Sequence, residues 1–194
     1  PAEYNTRDGK ETAMILSSRS EAVPLVKEAF SRAKGQAKLY YAHLLGVMGE
    51  PAGIETLTEY IEKTQWDRGH PRPTAGMSPL DRVIIAAGLC RDERAVEPLI
   101  KKVKQLDGSS EFSHHRAIAM AFESISSQLA AQALYELLQK PGMQGYAVTS
   151  LQKAIKLDKE AVEKVRNTAK DHKTFHVRML SSRELILSVA LAKC

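Results

Sequence analysis

Apolar residues return at intervals of three and four along almost the whole chain, and that spacing decides the fold class. Positions i, i+3, i+4 and i+7 share one stripe of a helix, whereas a half-buried strand would alternate. Ala22, Leu25, Val26 and Ala29 form one stripe; Tyr41, Leu44, Leu45 and Met48 form the next, followed by Ile54, Leu57 and Ile61. Leu80, Val83, Ile84 and Ala87 come after, then Val96, Leu99, Ile100 and Val103, then Ile118, Ala121, Phe122 and Ile125. Ala130, Ala133, Leu134 and Leu137 continue the series, as do Val148, Leu151 and Ile155, then Val162, Val165 and Ala169, and finally the stretch Leu185 to Leu191. No alternating pattern competes, so the chain reads as all-α.

The stripes come in pairs. Gly49-Glu50-Pro51-Ala52-Gly53 joins one pair and Arg91-Asp92-Glu93-Arg94 the next. The second members align as Glu21-Ala22-Val23-Pro24-Leu25, Ala52-Gly53-Ile54-Glu55-Thr56-Leu57 and Arg94-Ala95-Val96-Glu97-Pro98-Leu99. A helix pair recurring at such a period cannot bury its apolar face alone, which predicts a solenoid of stacked antiparallel pairs. Pro24 and Pro98 are expected near helix starts, where the missing N–H removes few bonds. The expectation is one unit over 1–194, with repeats over roughly 11–140 and residues 141–194 closing the stack. An insertion at 64–77 breaks the register. There Trp66-Asp67-Arg68-Gly69-His70-Pro71-Arg72-Pro73 cannot continue a helix. Ser78 is then expected as an N-cap, with Pro79 at the first helical position and Asp81 facing the positive helix end.

Composition narrows the function. Residues 1–150 hold 18 basic and 18 acidic side chains, so the whole excess of 28 over 23 lies in 151–194. It is interleaved with acids, as in Lys156-Leu157-Asp158-Lys159-Glu160, and reads as a solvated helix face. A nucleic-acid reader would carry a basic stripe across several repeats, so nucleic acid is not the expected partner. No apolar run reaches the roughly 20 residues of a membrane span. Cys90 and Cys194 form no metal-type pair. Pro1-Ala2-Glu3-Tyr4 lacks a starting Met and reads as part of something longer. No Walker sequence, G-x-S-x-G or His-Glu dipeptide occurs.

Two polar blocks stand out. Ser113-His114-His115-Arg116 opens a helix with Ser113 as the expected cap, where the dipole disfavours imidazolium and leaves neutral rings free to bind or to move protons. The plainer reading packs one ring and solvates the other, since no acid or cysteine stands at metal-site spacing. The Trp66 insertion, with Arg68, His70 and Arg72, either lines a pocket for an anionic or planar ligand or is a proline-stiffened loop covering a helix-pair end. His172 and His176 share metal-like spacing, but Lys173 stands where a zinc-protease motif needs Glu. A linker fits them better.

"LLGVMGEPAGIETLTEYI" and "RDERAVEPLIKKV" resemble HEAT repeats of the short lyase-like kind. The segment from Ser78 to Ile125, with "LLQKPGMQGYAVTSLQ" (137–152) and "SRELILSVALAKC" (182–194), resembles the C-terminal region of a family of bacterial FAD-dependent oxidoreductases. The upstream "YYAHLLGVMGEPAG" and Trp66 fit too, while Asp67-Arg68-Gly69-His70-Pro71 departs from the Asn-Tyr-Arg-Gly-like sequence expected there. The resemblance implies that FAD belongs to an N-terminal domain of the parent and that this chain binds no cofactor, and it carries no catalytic residue over to this chain. The implied partner is the flavin-binding domain of the same parent chain or another protein. The implied role is a non-catalytic interaction or structural module. The alternatives are a stand-alone protein-binding scaffold, or a domain completing the flavoenzyme's substrate site. If successive first helices lie side by side, Ser78 and Ser113 become neighbours. The expected candidate surface is then Trp66, Arg68, Asp81, His114, His115 and Arg116.

Overall fold

A computed structural model describes residues 9–70, 76–143 and 175–194. They form nine α-helices and no strand: α1 (Gly9–Ser17), α2 (Arg19–Arg32), α3 (Gly35–Val47), α4 (Ile54–Lys63), α5 (Pro79–Leu89), α6 (Val96–Val103), α7 (Phe112–Ile125), α8 (Gln128–Leu138) and α9 (Phe175–Lys193). The stripes expected at 148–155 and 162–169 lie outside the described residues. No described helix is long and apolar enough to cross a membrane.

From α3 onward, alternate described helices pack side by side. α3, α5, α7 and α9 form one row, α4, α6 and α8 a second, and α2 packs on α3. Most of the buried apolar side chains form one core between the rows, from Ile54, Leu57 and Ile61 through Leu80, Ile84 and Leu99 to Phe122 and Leu134. A smaller cluster of Val26, Leu44, Leu45 and Met48 holds α2 to α3. α2 has few neighbours, so its buried stripe is narrow: Ala22 and Val26 are buried while Leu25 is 67 % exposed. Pro24 lies inside α2, beyond the first turn where it was expected.

Two glycines set the spacing of the first row. A Cβ on Gly46 of α3 would lie 2.7 Å from the Ala86 carbonyl oxygen of α5, and one on Gly88 of α5 would lie 2.3 Å from Ala121 Cα of α7. Backbones approach there because no side chain intervenes.

The start of α5 is built as its sequence predicts. Ser78 Oγ accepts from the Asp81 N–H at 3.1 Å and Asp81 Oδ2 accepts from the Ser78 N–H at 3.0 Å, a closed capping box with Pro79 at the first helical position. α7 begins differently. Glu111 is its N-cap residue, and Ser113 sits inside the helix.

Candidate functional site

The N-terminal turn of α7 carries adjacent histidines, and a helix rotates about 100° per residue, so they cannot face the same way. His114 turns towards α5: its Nδ1 lies 2.7 Å from Asp81 Oδ1, with both side chains buried. Its Nε2 lies 3.2 Å from the backbone carbonyl of Asp67. The Trp66 ring covers it at 4.4 Å between centroids, tilted by 40°. His115 turns towards α9. It is wholly buried, and its Nδ1 lies 3.1 Å from the Glu111 carbonyl in the preceding helical turn.

The two rings have opposite electrostatics. Burial alone would lower the pKa of His114, but the hydrogen bond and charge of Asp81, helped by Asp67, outweigh it and raise it. Burial pushes on Asp81 in the raising direction, and hydrogen bonds from His114, Ser113 and the Ser78 backbone together with the His114 charge hold it below its usual range. His115 is pushed down to about 4, first by burial and then by the Arg183 charge, against the backbone carbonyls of Glu111 and Asp107.

The 64–70 segment is clipped onto this turn at several points. The His70 N–H donates to Ser113 Oγ at 2.9 Å, and the Ser113 N–H donates to the His70 carbonyl at 3.1 Å. Asp67 Oδ2 accepts from the Leu80 N–H at 3.1 Å. Gly69 lies so close that a Cβ there would meet His114 Cε1 at 2.7 Å. Lys102 of α6, only 3 % exposed, donates to the Thr64 carbonyl and stands 5.6 Å from the Trp66 ring centroid. Two buried atoms of the segment, Trp66 Nε1 and Asp67 Oδ1, have no hydrogen-bond partner.

Of the six expected surface residues, Trp66, Asp81 and His114 meet in one buried cluster. His115 lies in a second, beside Arg183, whose Nη atoms donate to the carbonyls of Gly108 (2.7 Å) and Ser110 (2.6 Å). Arg68 is exposed and Arg116 half-buried. Ser78 and Ser113 are brought together, since both hydrogen-bond to Asp81. The His172–His176 spacing lies partly outside the described residues.

Sequence reasoning missed Lys102 and Arg183, although the signal was present. Each is a cation three or four residues from buried apolar neighbours of its own helix, Leu99 for Lys102 and Leu187 for Arg183. Asp67 and Glu111 carried no such mark.

Among the described residues no three His, Cys, Asp or Glu side chains are grouped to hold a metal. The Cys90 thiol is pushed up to about 12, first by burial and then by the Asp92 charge, so it is no nucleophile at neutral pH. Compared with protein-family models, curated proteins and solved structures, the chain finds a match in none.

Proposed function

We propose that this chain is a non-catalytic helical-repeat module, a structural and interaction unit of a larger protein. The observation that carries the reading is the inward turn of the α7 block. Asp81 and His114 bond to each other with side chains 0 % and 4 % exposed, and His115 is sealed beside α9. Reactive acid–base groups must reach a substrate, and these are occupied by buried partners inside the chain.

The repeat reading rests on recurring details. Each connection from a first-row to a second-row helix holds one residue with positive φ: Gly49 (73°), Arg91 (52°) and Ser126 (53°). Two of these connections then form a short 3-10 turn, Pro51–Gly53 and Glu93–Ala95, leading into the next helix. The ion pairs Glu55–Arg94 and Glu62–Lys101 both join residues 39 apart. Such repetition is what a stack of like units produces. On this reading residues 1–194 form one unit, with repeats over roughly 11–140, the insertion at 64–77 and 141–194 closing the stack.

The resemblance to the bacterial FAD-dependent oxidoreductases supports placing the module behind a flavin-binding domain of the same parent. Arg68, exposed on a segment clipped beside the helix ends, favours a second reading, in which the insertion completes the parent's substrate site.

One experiment separates the two readings. In the parent protein, His115→Ala should lower the unfolding temperature of this module while turnover per folded molecule is unchanged, and Arg68→Ala should change neither. Turnover lost in Arg68→Ala at unchanged stability would select the second reading. A purified parent without flavin absorbance would remove the oxidoreductase assignment altogether.

A further inference from the structure

The chemistry of the His114 ring goes beyond the module reading and does not depend on it. Asp81 is fixed as an acceptor: the Ser78 N–H and the Ser113 hydroxyl both donate to its carboxylate. Nδ1 of His114, 2.7 Å from Asp81 Oδ1, must therefore donate. Nε2 faces the Asp67 carbonyl at 3.2 Å, and a carbonyl oxygen only accepts. Both bonds exist together only on an imidazolium. A neutral ring with its proton on Nδ1 would aim a lone pair at a carbonyl lone pair.

We propose that protonated His114 latches the 64–70 segment onto the α5–α7 edge, and that loss of its Nε2 proton loosens that segment. The segment has reason to leave. It holds Trp66 Nε1 and Asp67 Oδ1 buried and unpaired, and both gain water when it lifts. It also rests directly on the ring, since Gly69 leaves no room even for a methyl group above Cε1 and Nε2.

The charges around His114 agree with a cation there. From α5 it faces Asp81, while Arg82 of the same helix stands beside His43 of α3. The segment supplies Asp67, with Arg68 turned to solvent. α6 supplies Lys102, occupied with the Thr64 carbonyl and the Trp66 ring. On α7 itself, His115 is uncharged at neutral pH, Glu111 stands beside Gly69, and Arg116 is half-buried. From α9, Arg183 is bonded to the 108 and 110 carbonyls on the His115 side.

Trp66 is the sole tryptophan of the chain and stacks on this ring, so the protein carries its own reporter. An imidazolium in contact with indole quenches its emission. In the whole chain, ¹⁵N ring spectra at pH 6 should show His114 protonated on both nitrogens. Raising the pH should brighten Trp66 in one step. Across that step the His70 and Ser113 amides, which bond the segment to α7, should exchange about tenfold faster or more after correction for base catalysis. His114→Gln, whose amide nitrogen can still donate to one neighbour, should abolish the step in both readouts. Asp81→Asn should move the step to lower pH, which serves if the glutamine variant fails to fold. A neutral His114 at pH 6 would overturn the latch. So would an emission step that persists in His114→Gln, or exchange that ignores the step.

Discussion

Replacing Gly88 with alanine tests the tightest helix–helix approach at any described glycine. The new methyl would sit 2.3 Å from Ala121 Cα, 2.6 Å from its Cβ and 2.8 Å from its carbonyl oxygen. Carbon atoms pack at about 3.5–4.0 Å, so α5 and α7 must part by about 1.2 Å or more. The obstacle is backbone, not the end of a flexible side chain, and α7 also carries α9 on its other flank. Overpacking of this kind costs about 1–3 kcal/mol, and the site belongs at the upper end. Alanine recovers about 1 kcal/mol of helix propensity. The expected net loss is about 2 kcal/mol, or about 4–8 °C in unfolding temperature for a chain of this size. Urea unfolding followed by far-UV circular dichroism should show a lower midpoint at unchanged slope. Ala121→Gly should not rescue it, because Ala121 Cα is itself the nearest atom. A Gly88→Ala protein as stable as the parent chain would refute the close approach of the first row.

Arg91 holds the left-handed conformation that Gly49 adopts at its own turn, so Arg91→Gly should be neutral or stabilising by up to about 1 kcal/mol; a clear loss of stability in urea would contradict the turn geometry. Arg183→Leu strips the donors from the Gly108 and Ser110 carbonyls and should cost about 2–4 kcal/mol, with a cost under about 1 kcal/mol counting against the buried bonds. His115 is depressed to about 4 in the folded chain against 6.5 unfolded, so the unfolded state binds more protons between those values and stability falls as pH drops from about 6.5 towards 4. The slope approaches about 1.4 kcal/mol per pH unit for this one group, His43 adds in the same direction, and His115→Gln should flatten the profile measured by urea unfolding at pH 5 and 7.

Local signals were readable and long-range ones were not. The N-cap at Ser78, with Pro79 and Asp81 in the first turn, follows from three residues within four positions and formed as expected; Asp81 also closes it into a capping box. Ser113 looked like the same device, yet it is not a cap. The acceptor its N–H needs comes from the His70 carbonyl, 43 residues upstream, and nothing near Ser113 announces that. The dipole argument called both histidines neutral. His115 is neutral for another reason, burial and the Arg183 charge, and a carboxylate from another helix reverses the expectation for His114. Helix periodicity located the buried stripes because each helix senses only inside and outside. It could not foresee Leu25, whose exposure depends on how few helices flank α2.

The stretch between α6 and α7 has a consequence for the order in which the molecule is completed. Its alternate carbonyls are taken in sequence, 104 and 106 by the Lys140 ammonium, 108 and 110 by the Arg183 guanidinium. Those donors lie 34–36 and 73–75 residues further along the chain. A ribosome delivers the acceptors well before the donors, so this connection keeps its carbonyls on water until α8 has ended and α9 has arrived. Lys140 and α9 therefore finish a connection that was made long before them in the chain.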